Sequence, residues 1–147
     1  MEKHDLLNNL LMEGTKVLGL DLGIISNIND EVYIVHSCKN NDMGIEPGSA
    51  FELSKTYCSD VIKDGCAKYY EDVAEISEML KHPCYLSTQL RAYVGTPITV
   101  NGKIWGTLNY SSLFPHKSVY STEEIEFLES QAKEVGRILQ KTISAAL

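Results

Sequence analysis

Apolar residues recur at helical intervals at both ends of the chain. In residues 5–18 they are spaced four and seven apart, and the stripe ends beside Gly19, which predicts an amphipathic helix that stops there. Near the C-terminus, Ser121-Thr122-Glu123-Glu124 has the form of a capping box that opens a second, longer helix. Steps of three and four mark the apolar seam of this helix: Ile125, Leu128, Ala132, Val135, Leu139 and, less apolar, Thr142.

Between these helices, apolar runs separated by turn residues predict an antiparallel sheet. The runs 20–28 and 31–38 flank Asn29-Asp30 and predict a first hairpin. The runs 91–100 and 103–110 flank Asn101-Gly102, the strongest short-range signal for a two-residue hairpin turn. The second hairpin is apolar on both faces, so it needs cover on both sides. Its apolar residues are Tyr93, Val94, Ile98, Val100, Ile104, Trp105, Leu108 and Tyr110.

The middle of the chain is rich in turn residues and predicts only short elements. We expect a loop over 39–50, a strand near 51–53, a helix over 59–63, a strand within 66–74, a helical turn over 75–81 broken at Pro83, and a helix restarting over 85–90. The fold class is therefore α/β in an α+β arrangement. A central antiparallel sheet carries the terminal helices on one face and the middle segment on the other.

Composition places the chain among ordinary globular proteins. Its 147 residues, 44% hydrophobic and 22% charged, suit one domain over 1–147 with its own core. The net charge of −7 argues against nucleic acid or an anionic membrane as a partner. No apolar run approaches the roughly 20 residues that a membrane span needs, and no signal-peptide pattern opens the chain. We therefore expect a cytoplasmic protein.

Four cysteines follow neither zinc-site nor dithiol spacing, and nothing indicates an oxidising compartment. Two His-x-Cys pairs stand out, His36-Ser37-Cys38 and His82-Pro83-Cys84. On a strand, His36 and Cys38 would share one face and could reach a metal together. The alternative is that they are separate, partly buried residues. Because the spacing matches no strong template, we expect no metal site. The cysteines are Cys38, Cys58, Cys66 and Cys84.

The second hairpin and its surroundings resemble a GAF domain. Tyr93 followed by Gly95-Thr96-Pro97-Ile98, and Gly102 through Leu108 with Gly106 between them, are similar to the aromatic, Gly-x-Pro-Ile and Gly-x-x-x-Gly-x-Leu hairpin of that family. Further similar segments are Thr56-Tyr57-Cys58, His82-Pro83 and Tyr120-Ser121-Thr122-Glu123-Glu124. The order of these segments over residues 6–139 carries the resemblance, since no single motif is diagnostic.

The resemblance implies a sensory domain of bacterial signal transduction whose pocket, roofed by the middle segment, binds a small molecule. It implies no catalytic residue and no cofactor beyond that unidentified ligand. It also implies a homodimer through the terminal helices and an output domain such as a kinase or cyclase. The residues expected to face the pocket are Tyr57, Cys58, Cys84, Tyr85, Tyr93 and Asn109. The alternative for each is a filled core with satisfied tyrosine hydroxyls.

Two other functions within the family remain open. One GAF subfamily reduces free methionine sulfoxide, which would make Cys84 the reactive cysteine and Cys58 or Cys66 its resolving partner. However, Tyr85-Leu86-Ser87-Thr88 departs from the polar, acidic run of that subfamily. Phytochrome-like GAF domains attach a bilin to a cysteine near this strand, but they place a histidine after the cysteine, where Tyr85 stands here. We therefore expect a non-catalytic sensor.

Overall fold

The computed structural model describes residues 2–39 and 43–146, with side chains described through Thr142. Helices at both ends of this part of the chain enclose six strands and two short helices. The elements are α1 (Lys3–Leu18), β1 (Leu22–Asn29), β2 (Val32–Lys39), β3 (Ala50–Glu52), α2 (Cys58–Asp64), β4 (Lys68–Tyr70), α3 (Pro83–Thr88), β5 (Ala92–Val100), β6 (Lys103–Ser112) and α4 (Thr122–Ala146).

The six strands form one antiparallel sheet in the order β3-β2-β1-β6-β5-β4. Both predicted hairpins are confirmed. The β5–β6 turn has positive φ at both central residues, 52° at Asn101 and 77° at Gly102, as a type I′ turn requires. The β1–β2 turn falls one residue later than predicted, with Asp30 in the left-handed region at φ 56°. Pairing of β1 with β6 joins the two hairpins at the centre of the sheet.

The terminal helices cover one face of the sheet, as predicted. Their apolar stripes pack with the sheet into one core, and the seam of α4 is buried there from Leu128 to Leu139. The Tyr110 hydroxyl on β6 donates to Gln131 Oε1 at 2.5 Å, and Gln131 Nε2 donates to the Leu10 carbonyl at 2.7 Å. These two hydrogen bonds connect β6, α4 and α1.

The predicted capping box opens α4. The Ser121 backbone N–H donates to Glu124 Oε1 at 2.9 Å, and the Glu124 N–H donates to Ser121 Oγ at 3.0 Å. This reciprocal pair satisfies two backbone donors that the first turn of a helix leaves without partners. The helix start therefore follows directly from the local sequence.

The middle segment covers the opposite face of the sheet. It differs from the prediction in detail: the strand expected within 66–74 is only Lys68–Tyr70, and the turn expected over 75–81 is two 3₁₀ turns. Pro83 does not break a helix but begins α3, because proline lacks the N–H that a first helical residue leaves unpaired. Residues 40–42 of the predicted loop lie outside the described residues.

The predicted sharing of one face by His36 and Cys38 is wrong. Ile25 pairs with Ser37 and Ser26 pairs with Val35, so His36 is the extra residue of a β-bulge. The His36 ring contacts Trp105 edge-on at 5.5 Å on the helix-covered side, whereas Cys38 packs with the opposite core. In the described part of the chain, no group of three or more His, Cys, Asp or Glu side chains is placed to hold a metal ion.

No helix among residues 2–39 and 43–146 is long and apolar enough to cross a membrane.

Candidate functional site

A cavity of about 640 Å³ lies between the sheet and the middle segment. Strands β1, β2, β5 and β6 form its floor, and α2 and α3 contribute to its walls. Residues 43–45, 50–52, 55 and 56 lie around its mouth. Both its position and its volume are typical of small-molecule sites. The apolar side chains that line it include Leu22, Ile24, Met43, Ile45 and Leu90.

Five of the six predicted site residues line this cavity: Tyr57, Cys58, Cys84, Tyr93 and Asn109. The sixth, Tyr85, packs against the same core from α3 but does not line the cavity. The fold therefore brings five of the predicted residues to one cavity, although they are up to 52 positions apart in the chain.

Cys58 is the first residue of α2 and is held against the sheet by polar contacts. Its sulfur lies 3.0 Å from the Tyr93 hydroxyl, and Thr107 Oγ1 donates to it at 3.2 Å. Thr107 in turn shares a hydrogen bond of 2.6 Å with the Ser26 hydroxyl. Burial raises the pKa of the Cys58 thiol to about 11, so the thiol is protonated at neutral pH.

Cys84 lies on α3 and lines the same cavity as Cys58 of α2. It is buried, and this burial raises the pKa of its thiol, although hydrogen bonds from the Thr88 hydroxyl and the Tyr57 backbone lower that pKa in part. The third cysteine of the middle segment, Cys66, is exposed and does not line the cavity. Cys58, Cys66 and Cys84 are free thiols.

Tyr57 connects the two helices of the wall. Its hydroxyl donates to the Leu90 carbonyl at 2.7 Å, and its ring lies 5.3 Å from the ring of Tyr93 and 5.1 Å from that of His82. His82 Nδ1 accepts a hydrogen bond of 3.0 Å from the Cys84 backbone N–H and so caps α3. Burial lowers the pKa of His82, which favours the neutral ring that can accept this bond.

The sequence matches the GAF domain family over residues 2–139. The chain belongs to this family. The resemblance seen in the second hairpin is therefore confirmed, and so is the layered fold that it implied.

Solved GAF-type structures share this fold at low sequence identity. The GAF domain of a phosphoenolpyruvate-protein phosphotransferase from Acinetobacter has a TM-score of 0.80 at 14% identity, covering 99% of this chain and 87% of that chain. The free methionine-R-sulfoxide reductase of Neisseria meningitidis, in complex with its substrate, has a TM-score of 0.76 at 12% identity, covering 98% and 81%. The blue-light absorbing PixJ GAF domain of Thermosynechococcus elongatus has a TM-score of 0.69 at 17% identity, covering 97% and 91%. No curated protein matches the sequence.

The sequence prediction missed several polar residues on the floor of the GAF cavity. Tyr33 on β2 accepts a hydrogen bond of 3.0 Å from Asn109 Nδ2, and Ser111 also lines the cavity. Alternate residues of β6, Thr107, Asn109 and Ser111, are polar and face the middle segment. This period of two was the signal that could have identified them.

Formal charge on the described residues that line the cavity lies only at the mouth. Among the described lining residues, the acidic and basic side chains are Glu52 and Lys55, which pair at 3.8 Å. Both are exposed, at 69% and 63% respectively. Deeper in the cavity, burial raises the pKa values of Tyr33 and Tyr93 well above their ordinary range, so their hydroxyls are neutral. The site can therefore orient a ligand by hydrogen bonds rather than by buried ion pairs.

Proposed function

We propose that this GAF domain is a non-catalytic regulatory module that binds a small molecule in the 640 Å³ cavity. The observation that carries the proposal is a cavity lined by the neutral side chains of Tyr93 and Cys58, which hydrogen-bond to each other, while Cys58 also accepts a hydrogen bond from Thr107. Such groups hold and orient a ligand without supplying a nucleophile or a charged acid–base pair. The five predicted residues that line the cavity form the proposed ligand site, and the sixth, Tyr85, packs against the same core.

The rival function is thiol-dependent reduction of free methionine sulfoxide, the activity named for the Neisseria meningitidis relative. The presence of two cysteines, Cys58 and Cys84, at one cavity favours it. A reactive cysteine, however, requires a lowered thiol pKa, whereas burial raises the pKa of both thiols. This difference supports binding rather than turnover.

A turnover assay separates the two functions. Purified protein is given free methionine-R-sulfoxide and a dithiol reductant, and Cys84→Ser is measured in parallel. We expect the wild-type rate to equal that of the variant and of the reductant alone. Turnover that disappears in Cys84→Ser would overturn the non-catalytic proposal.

We further propose that the domain works in the cytoplasm as a homodimer and controls an output domain such as a kinase or cyclase. A connection from the cavity to the terminal helix is supported by β6, where Asn109 faces the cavity and its neighbour Tyr110 is hydrogen-bonded to α4. A ligand can shift such an element only by binding its two states with different affinity. Residues 1–147 are proposed to form one such domain.

The proposed dimer surface is the outer face of α1. Leu6, Met12 and Val17 are exposed there, whereas the apolar seam of α4 is largely buried inside the chain. Light scattering on the wild type and on Val17→Lys tests this surface. We expect a dimer for the wild type and a larger monomer fraction for the variant. A wild-type monomer at high micromolar concentration would contradict it.

A further inference from the structure

Two buried polar side chains on β6 line the cavity with hydrogen-bonding capacity unused. We infer that the cavity takes an organic ligand with an apolar body and an uncharged polar edge that hydrogen-bonds to Asn109 and Ser111. This inference rests on the proposed function, since it names the chemical class of the small molecule.

Ser111 is the first of these side chains. In the sheet it pairs with Leu22 on one side and with Tyr93 on the other, and both of those residues face the cavity. Ser111 is only 3% exposed, yet its hydroxyl has no hydrogen-bond partner among the described residues. A buried hydroxyl without a partner is destabilising, and a ligand atom can supply the missing bond.

Asn109 is the second side chain and is also 3% exposed. Its Nδ2 donates to the Tyr33 hydroxyl at 3.0 Å and to Thr107 Oγ1 at 3.4 Å, which uses both amide hydrogens. Its Oδ1 has no partner within the described part of the chain. Asn109 therefore offers an acceptor, and the matching ligand group is an N–H or O–H donor.

The spacing of the two residues defines the edge of the ligand. Asn109 and Ser111 are two positions apart on β6, so they present polar atoms about 7 Å apart along one line. Leu22, Ile24 and Leu90 surround this polar line with apolar surface. A ligand with a flat apolar body and polar groups at two points of its edge matches both features.

No described residue of the cavity floor carries a formal charge, and this determines the charge of the ligand edge that lies against it. The acidic and basic side chains among the described lining residues, Glu52 and Lys55, pair with each other at the exposed mouth. A carboxylate or ammonium placed against β6 would lose its hydration without gaining a partner of opposite charge. The part of the ligand that reaches Asn109 and Ser111 is therefore neutral.

A pair of serine variants tests the unused hydroxyl without any ligand. Ser111→Ala and Ser26→Ala each remove one buried hydroxyl from the same face of the sheet. Among the described residues only the Ser26 hydroxyl has a partner, Thr107 at 2.6 Å. We expect Ser111→Ala to leave the Tm unchanged or raise it, and Ser26→Ala to lower it by about 3 °C. A loss with Ser111→Ala equal to that of Ser26→Ala would overturn the inference.

A matched pair of probes tests the ligand class. 4-Hydroxybenzamide and 4-hydroxybenzoate share a ring with polar groups at opposite ends and differ in charge, and an NMR titration of the full chain measures both. We expect the amide to bind at least about tenfold more tightly, and Ser111→Ala and Asn109→Leu to weaken it. Equal or tighter binding of the benzoate in the cavity would overturn the inferred uncharged ligand edge but would leave the proposed small-molecule binding intact. If neither probe shifts the resonances of cavity residues, both the inferred ligand class and the proposed binding are overturned.

Discussion

The side chain of Tyr93 lies across Gly95, so closely that a Cβ at position 95 would stand 2.1 Å from the Tyr93 hydroxyl oxygen. No real Cβ makes such a contact, so the placement of Tyr93 depends on glycine two residues further along β5. That placement brings the Tyr93 hydroxyl within 3.0 Å of Cys58 Sγ and thereby joins β5 to α2. The glycine of the Gly-x-Pro-Ile motif therefore has a structural role at the cavity floor.

Gly95→Ala is expected to destabilise the domain by about 1–3 kcal/mol, because an inserted methyl group must displace a fully buried side chain. Urea unfolding of Gly95→Ala, Tyr93→Phe and the double variant measures this. We expect Gly95→Ala to lower the free energy of unfolding by less when Tyr93 is already replaced by Phe, since the nearest clashing atom is then gone. If the effects of the two substitutions on this free energy are additive, the Tyr93 hydroxyl does not cause the clash.

Alkaline pH is expected to destabilise the fold through Cys58. The pKa of its thiol is raised to about 11 in the folded state, against about 8.5 for an unfolded cysteine. The unfolded chain therefore loses this proton first, and stability falls as the pH rises from about 9 to about 11, by about 3 kcal/mol.

Urea unfolding of the wild type, Cys58→Ser and Cys66→Ser between pH 8 and 10 measures this effect. Cys66 is exposed, so its variant is the matched control and should follow the wild type. Cys58→Ser removes the titrating thiol and should show a shallower fall. Parallel curves for all three proteins would contradict the role assigned to Cys58.

Acid is expected to weaken the contact between the middle segment and β5. Arg91 Nε and Nη2 donate to the two carboxylate oxygens of Asp72 at 2.9 and 2.6 Å, and these bonds hold the pKa of Asp72 below its ordinary value. The Asp72–Arg91 pair therefore makes its full contribution to the free energy of unfolding above about pH 4. This contribution is lost as the pH falls through the lowered pKa of Asp72. Asp72→Asn should cost about 2 kcal/mol at pH 7.

The exposed pair of Asp64 and Lys68, 2.7 Å apart, provides the control for this prediction. Asp64→Asn should change stability little, because exposed ion pairs contribute little. Thermal unfolding at pH 7 and pH 3 should show a gap between the wild type and Asp72→Asn that narrows in acid, because Asp72 begins to be protonated. A gap of equal size at both pH values would contradict the ionic origin of the contact.

Tyr110→Phe is expected to weaken the connection between β6 and α4. The change leaves the buried Gln131 Oε1 without the Tyr110 donor and should cost about 1–2 kcal/mol. Hydrogen exchange should show faster exchange in residues 128–139, whereas Tyr69→Phe, at an exposed tyrosine, should leave exchange there unchanged. Equal exchange in both variants would show that the Tyr110 hydroxyl does not hold α4.

Local sequence signals predicted most of the fold. The Ser121–Glu124 capping box and the Asn101-Gly102 turn each act within a few residues, so their physics is visible in the sequence itself. The bulge at His36 leaves no such mark, because it arises from how β2 pairs with β1. Pro83 was misread because proline suits both the end of one helix and the first turn of the next.

The site was harder to predict because its contacts join distant parts of the chain. The bond from Asn109 to Tyr33 spans 76 positions, and nothing near Tyr33 in the sequence indicates it. Tyr57, Cys58 and Cys84 were found through the family resemblance rather than through spacing. Ser111 was missed because the predicted strand ended at residue 110, whereas β6 continues to Ser112.

Ligand binding in the cavity is tested most directly by native mass spectrometry of the protein purified from its own cells without denaturant. Ser111→Leu places a larger side chain in the cavity, and Ser130→Leu, at an exposed position of α4, is its control. If the cavity binds a ligand, the wild type and Ser130→Leu should each carry one added small-molecule mass that denaturation releases. This added mass should be missing from Ser111→Leu. A bare polypeptide mass for the wild type, or the same added mass on Ser111→Leu, would contradict it.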